Sequence, residues 1–419
     1  MHSRIIETNT PSHRPLISRL GVLGKISRQI HSCPILRYYM DAYVCGFVRS
    51  PFTRAHRGHL KDVRPDDMAG QTANALLLKL GVDPSTLDDV LVGCAYPEGE
   101  QGLNIGRIVT HYLNGPANLS GMTANRLCGS SMQVMHTAAG MISRGWGDLF
   151  LCGGIESMSR IQRGGFNRSP SPSLEQSMPD AYISMGITAE NVAFRLNISR
   201  KRQEEFALNS HNKAIEAKSN GYFRDEVASI TNPKTNEEIG HDLDGCMRES
   251  SLESMARLKP AFSDDGVVTA ATSSPLTDGS SFSLIASQNA VSEFNLTPMA
   301  KILSAAVVGV HPDEMGLGPI PSTRLALKRA GLSIEDLDVI ELNEAFSSQS
   351  LACIDELNLP IEKINIDGGA IALGHPLAAS GARIVGKTAS LLQRNGGQYG
   401  LATMCIGGGM GIATILERV

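Results

Sequence analysis

The sequence contains no apolar run of the roughly 18–20 residues that a bilayer-spanning helix needs. It also lacks charge of one sign. Its 38 basic and 42 acidic side chains leave a formal charge of −4, so nothing marks it as a partner for nucleic acid. None of its eight cysteines forms a Cys-x-x-Cys pair. That spacing argues against zinc and dithiol sites, and so few thiols in 419 residues do not make a disulfide framework. Reduced thiols in an intracellular compartment are the simplest reading.

Hydrophobic side chains (42 %) and 42 glycines are plentiful. A chain of this length and apolar content can bury a large core and should divide into two or three lobes. The glycines predict tight turns and close backbone approach to a ligand. Residues 1–39 differ from the rest. They carry Arg4, Arg14, Arg19, Lys25, Arg28 and Arg37 against the single acid Glu7. Such a stretch reads either as an organellar presequence, which implies the mitochondrial matrix, or as sequence ahead of a true start at Met40, which implies a bacterial cytoplasm. In both readings the fold begins near Asp41.

The chain repeats itself at an offset of 250 residues: Gly81 through Leu87 to Gly93 resembles Gly331 through Leu337 to Leu342. Each stretch reads as the end of a helix, a turn and a buried strand. Further on, Cys128 and His375 each precede a helix and then a glycine-flanked strand, ending near Cys152 and Cys405 respectively. The period is too long for a solenoid and predicts a duplicated α/β half. Pseudo-twofold packing would bring the two turns to one crevice. Between the halves, 158–276 is richer in charge, Ser, Asn and Pro. It contains one predicted helical stretch from Thr188 to about Ser219, with a start signal at Ser199.

Four constellations carry chemistry. Cys128-Gly129-Ser130-Ser131 puts a thiol at the start of a helix predicted over Gln133 to Ile142. Unpaired N–H groups and the helix dipole there should favour thiolate. Asn343-Glu344-Ala345-Phe346 ends the apolar strand Val339 to Leu342, where an Asn can orient a water. Gly374-His375-Pro376 presents a histidine at a helix start, with Pro376 at the first helical position; that site disfavours imidazolium, so a neutral ring could accept a thiol proton. Cys405-Ile406-Gly407-Gly408-Gly409 puts a second thiol before a glycine nest whose N–H groups can hold an oxyanion. This last motif lacks the G-x-G-x-x-G spacing and has no room for a following strand–helix unit, which excludes a dinucleotide loop.

Together, from about Asp41 to Val419, these four blocks resemble the signature blocks of the thiolase family. The resemblance implies two βαβαβαββ halves in a five-layered α/β/α/β/α core with an inserted loop domain. The halves would be 41–157 with 277–298, and 299–419; the loop domain would be 158–276. It implies Cys128 as acyl-thioester nucleophile and His375 as its base. Cys405 would be the acid and base on the acetyl-CoA carbanion. Asn343 would hold a water and share an oxyanion hole with His375, and the N–H groups of Cys128 and Gly407 would form a second hole. Ser274, Met185 and Phe346 match positions that line the pantetheine and acyl pocket. The implied reaction is thiolysis of a 3-ketoacyl-CoA by CoA, with CoA a substrate and no permanently bound cofactor or metal. A homodimer or homotetramer is implied, with a β-oxidation multienzyme complex as a further partner. Ser184 stands where acetoacetyl-CoA thiolases typically carry His. This favours the broader 3-ketoacyl-CoA branch of fatty-acid β-oxidation over acetyl-CoA condensation. Arg257 and Lys259 are among the basic residues available to the CoA phosphates.

Overall fold

The computed structural model describes residues 40–419. The presequence-like stretch 1–39, and with it the choice of start, lies outside the described residues. The strands are β1 (Ala42–Arg49), β2 (Thr53–Arg54), β3 (Asp89–Gly93), β4 (Ser120–Ala124), β5 (Leu149–Ser157), β6 (Ile230–Thr231), β7 (Glu238–Ile239), β8 (Thr277–Ser287), β9 (Ala300–Gly309), β10 (Val339–Leu342), β11 (Tyr399–Ile406) and β12 (Met410–Arg418). The longer helices are α1 (Pro65–Leu80), α2 (Ile105–Tyr112), α3 (Ser130–Ser143), α4 (Met185–Arg195), α5 (Arg200–Ser219), α6 (Pro319–Ala330), α7 (Ser347–Leu357) and α8 (Ser380–Asn395).

The strand pairing shows the duplication directly. In the first half the order is β1-β8-β5-β3-β4, with two antiparallel junctions followed by two parallel ones. In the second it is β9-β12-β11-β10, followed by a parallel bridge from Ile340 to Ile364, with the same sequence of orientations. The halves join where β1 meets β9, through the pairs Tyr43–Lys301 and Val44–Ala300. Gly81 and Gly331 end α1 and α6 in the same left-handed conformation, with φ of 66° and 71°.

Alternation along the strands produces five layers. Val90, Val92, Leu149 and Leu151 face α1 and α2 through Met68, Leu76 and Val109. Their neighbours Leu91 and Phe150 face inward to Met132, Val134 and Met135 of α3 and Ile384 and Val385 of α8. Ala402, Met404 and Ile412 of the second sheet reach the same middle helices from the other side. Ile340, Leu401 and Ile415 pack outward on Ile320, Leu327, Leu351 and Ile354 of α6 and α7. Helix α3 begins at Ser130, three residues before the sequence pattern places it. The middle helices touch at a glycine: a Cβ on Gly381 would lie 2.5 Å from the Met132 nitrogen.

The insert between β5 and β8 is tied to the core by buried charge. Arg49 of β1 pairs with Glu226 at 2.9 Å and Asp244 at 2.7 Å. Lys387 of α8 pairs with the same Glu226 at 2.9 Å and with Asp367 at 2.6 Å, and Arg394 completes the group on Asp367 at 2.7 Å. Three cations on three carboxylates leave this cluster without net charge, which is the condition for tolerating their desolvation. One expectation is corrected here. The single helical stretch from Thr188 to Ser219 is two helices, α4 and α5. Asn197 takes a left-handed φ of 52° and Ser199 starts the second helix by accepting from the Arg202 N–H at 3.3 Å.

Candidate active site

Cys128 sits on a braced turn between β4 and α3. Leu127, just before it, has φ of 43°, a region that a branched side chain avoids unless its surroundings enforce it. Asn125 supplies that enforcement. Its Oδ1 accepts from the Leu127 N–H at 2.8 Å while its Nδ2 donates to the Ala95 carbonyl at 2.9 Å. Ser130 closes the turn from the other side, accepting from the Arg126 N–H at 2.9 Å and donating to the Leu127 carbonyl at 2.6 Å. The Gly407 N–H and the N–H of Cys128 itself point at the sulfur.

Those donors do not make a resting thiolate. Burial outweighs them, with Glu156 adding to it, and pushes the Cys128 thiol up to about 11. The helix dipole was expected to favour thiolate at Cys128; desolvation of the anion is the larger effect, and the thiol needs a base.

His375 can be that base. Its backbone N–H donates to Thr277 Oγ1 at 3.0 Å, Nδ1 meets Ser380 Oγ at 2.6 Å, and Nε2 lies 3.5 Å from Asn343 Nδ2. With the Asn343 amide as donor, the ring proton sits on Nδ1 and Nε2 is the acceptor nitrogen, engaged only by the long contact to Asn343. Burial, helped by Arg383, lowers its pKa to about 3, so the imidazole is neutral. The cause differs from the one expected. Pro376 is not the first residue of a helix. It has ψ of 82° and precedes a 3-10 turn, Leu377–Ala379, and α8 begins only at Ser380.

Asn343 follows β10 and is anchored by its N–H on the Thr403 carbonyl at 3.0 Å. Its side-chain oxygen is buried without a hydrogen-bond partner among the described residues. Cys405, near the end of β11, is buried against Phe346, Ala345 and Met185. Its thiol is pushed well above the usual range, first by burial and next by Cys128, so the two sulfurs lie close enough to oppose each other's ionisation. Gly407 follows in the β11–β12 turn. A Cβ there would lie 3.1 Å from Leu127 and 3.4 Å from the Met185 sulfur. The structure thus places the two thiols close together beside the glycine turn, and sets the neutral His375 imidazole against the Asn343 amide.

Residues 42–289 match the model of the thiolase N-terminal domain and residues 296–418 that of the thiolase C-terminal domain. The chain belongs to the thiolase family. It is 43 % identical over 394 residues to a 3-ketoacyl-CoA thiolase of Saccharophagus degradans, covering 90 % of this chain and 98 % of the relative. The crystal structure of human mitochondrial 3-ketoacyl-CoA thiolase in complex with CoA superposes with a TM-score of 0.82 at 38 % identity, covering 91 % of this chain and 98 % of that one. The Bacillus anthracis acetyl-CoA acetyltransferase gives a TM-score of 0.84 at 35 % identity, covering 91 % and 100 %. As a thiolase the protein is an enzyme of the acyltransferase class, and its fold is the thiolase α/β fold.

Around the thiolase core the outer residues separate. Ser274 donates both its N–H and its hydroxyl to the Ala345 carbonyl, each at 3.0 Å, so it is pinned to the loop that carries Asn343. Met185 opens α4, and Phe346 meets Phe262 edge to face with ring centroids 5.8 Å apart. Ser184 stands apart: it is exposed and makes no cap bond to α4. Arg257 is exposed and paired with Glu253. Sequence reasoning missed Arg248, exposed like Arg54, with desolvation and that second cation lowering its pKa. It follows Cys246, whose N–H donates to the Ala372 carbonyl in the stretch leading to His375. Asn125, Thr277 and Ser380 were also missed, because each acts by bracing another residue, Thr277 from 98 positions away.

Proposed function

We propose that this thiolase cleaves 3-ketoacyl-CoA with CoA through an acyl-cysteine on Cys128, in fatty-acid β-oxidation. The observation that carries the reading is the match to both thiolase domains by a chain whose His375 and Asn343 side chains meet at 3.5 Å and whose Cys128 lies close enough to Cys405 to oppose its ionisation. His375 Nε2 takes the Cys128 proton, and the thiolate attacks the 3-keto carbon, whose oxygen is held by the N–H groups of Cys128 and Gly407. The C2–C3 bond breaks as the tetrahedral intermediate collapses to the acyl thioester. Its electrons pass to C2, with the negative charge shared by the thioester oxygen near His375 and an Asn343-bound water. Cys405 gives its proton to C2 and acetyl-CoA leaves. A second CoA thiol gives its proton to the Cys405 thiolate and attacks the acyl thioester; the departing Cys128 thiolate takes back the proton held on His375, which restores both thiols and the neutral imidazole. Thiolate suits both steps, as a soft nucleophile and a good leaving group.

CoA is here a substrate, held by the loop domain 158–276 with Ser274, Met185 and Phe346 along the pantetheine and acyl arm. Arg248 and Arg54 are the cations we assign to its phosphates. The edge strand β4 supports a homodimer or homotetramer. It pairs only with β3 among the described strands, its own Met122 is 36 % exposed, and Leu103, just ahead of α2, is 91 % exposed.

Substrate range is tested by a series of 3-ketoacyl-CoAs from four to sixteen carbons at one free CoA concentration. Flexible Met185 can pack against chains of varied length, and each buried methylene should add about 0.8 kcal/mol, roughly fourfold in affinity, until the pocket ends. Medium or long substrates should show kcat/KM at least equal to that of acetoacetyl-CoA. Turnover confined to four carbons would instead establish the condensing acetyl-CoA acetyltransferase, a reading favoured by the likeness to the Bacillus anthracis enzyme.

A further inference from the structure

Glu344, the residue after Asn343, has a buried carboxylate in contact with three separate parts of the chain. Its Oε2 accepts from the Ser210 hydroxyl at 2.6 Å and from the Ile371 N–H at 3.2 Å, and its Oε1 accepts from the Asn365 amide at 2.8 Å. Ser210 lies on α5 of the insert, and its hydroxyl oxygen in turn accepts from the Gly369 N–H at 3.1 Å. Asn365 clamps Leu342, directly ahead of Asn343, accepting from its N–H at 3.0 Å and donating to its carbonyl at 2.8 Å. Gly369 and Ile371 belong to the turn that leads into His375. The fit is close: a Cβ on Gly369 would fall 2.1 Å from the carboxylate carbon of Glu344. All the contacts are donors, so the site is built for a group that only accepts. At the 250-residue offset the first half has Cys94, which cannot make such a junction.

We propose that Glu344 is a positioning residue that locks Asn343 and the His375 turn to α5 of the insert, setting the geometry in which the C2 carbanion is stabilised. This inference rests on the reaction proposed above. A glutamine in its place would turn an N–H₂ toward one of the existing donors and shift Asn343 or the His375 turn with little change in volume. Misplacement of a catalytic group by about 1 Å costs on the order of 10²-fold in rate.

The test compares wild type, Glu344→Gln, Ser210→Ala and the double variant in two assays: exchange of acetyl-CoA C2 protons with deuterated water, and exchange of labelled CoA with acyl-CoA. Glu344→Gln should lower kcat for proton exchange by about 10²-fold while KM for acetyl-CoA stays within about twofold. Ser210→Ala should show a smaller kcat loss of the same kind. The double variant should be no worse than Glu344→Gln alone, because the two residues act as one unit. If kcat stays within twofold of wild type, or if KM rises at constant kcat, the positioning role is wrong. The same holds if the loss merely tracks the folded fraction seen by near-UV circular dichroism. Should Glu344→Gln not fold, Ser210→Ala decides by the same criteria. A wild type that performs neither exchange overturns the reaction and this inference with it; a wild type that performs both, with unchanged variants, overturns only the role of Glu344.

Discussion

The two halves share a backbone and divide the chemistry. At the 250-residue offset Leu127 matches Leu377 and Ser130 matches Ser380, and each pair builds the same 3-10 turn into a middle-layer helix. The candidate catalytic residues break the match. Cys128 falls opposite Ala378, His375 opposite Asn125, Asn343 opposite Gly93 and Cys405 opposite Ile155. The partner positions are not idle. Asn125 braces the Cys128 turn, and the Ala378 N–H donates to Glu156 at 3.4 Å, where the equivalent N–H of Cys128 faces its own sulfur. The repeat supplies two similar turns facing one crevice. In the proposed mechanism, differentiation makes one a nucleophile platform and the other a base platform.

The severest way to break the comparison is Cys128→Ala, which puts the residue of position 378 into position 128. Thiolysis should fall by at least about 10⁴-fold, the scale on which a lost nucleophile acts. No acylated peptide should then appear by mass spectrometry. An acyl group trapped on another residue of the wild type would refute the assignment.

His375→Asn makes the second turn resemble the first and should cost about 10²–10⁴-fold in both half-reactions, as for a lost general base. The resting site has a pH signature as well. A thiol raised to about 11 beside an imidazole lowered to about 3 favours the uncharged pair. The thiolate fraction therefore grows as pH rises toward the thiol pKa, and iodoacetamide alkylation of Cys128 in the ligand-free enzyme should accelerate through the neutral range. A rate independent of pH across that range would show a preformed thiolate–imidazolium pair instead.

Cys405→Ser sharpens the division between the thiols. Cys128 and His375 remain, so labelled acyl groups should still reach Cys128, whereas exchange of acetyl-CoA methyl protons should drop by about 10²-fold or more. Exchange at the wild-type rate would remove Cys405 from the carbanion step.

Much of this division was legible in the chain, because glycine, proline, cysteine and histidine are conspicuous and the offset shows in short apolar strings. What stayed hidden depends on burial or on distant partners. The dipole at Cys128 could be read from its place before a helix, but the desolvation that outweighs it could not. The left-handed Leu127 is held by a bond from Asn125 to Ala95, thirty residues away, and no local spacing announces it. Glu344 looked like part of a motif, yet its partners Ser210, Asn365 and Ile371 come from three other segments. The break between α4 and α5 was the opposite case. Asn197 and Ser199 signalled it locally, but the helical pattern on both sides masked it.

The smallest effect tests the middle layer, where the halves meet through α3 and α8. Glycines occupy both helices for different reasons. On Gly381 of α8 a Cβ would stand 2.5 Å from the Met132 nitrogen and 2.9 Å from Ser131 Oγ, and Ser131 is itself bonded to the Ala382 N–H at 2.8 Å. Backbone cannot rotate away as a side chain can, so Gly381→Ala must part the helices. The cost should be about 1–3 kcal/mol, more than the gain in helix propensity returns. On Gly140 of α3 a Cβ would meet no described residue within 4 Å, and there Ala should stabilise by about 0.5–1 kcal/mol. Urea midpoints for the two variants should move in opposite directions. Because α3 starts two residues after Cys128, Gly381→Ala should also slow acylation, whereas Gly140→Ala should not. A common shift of both midpoints would mean that ordinary helix propensity, and not contact between the halves, sets the requirement for glycine at position 381.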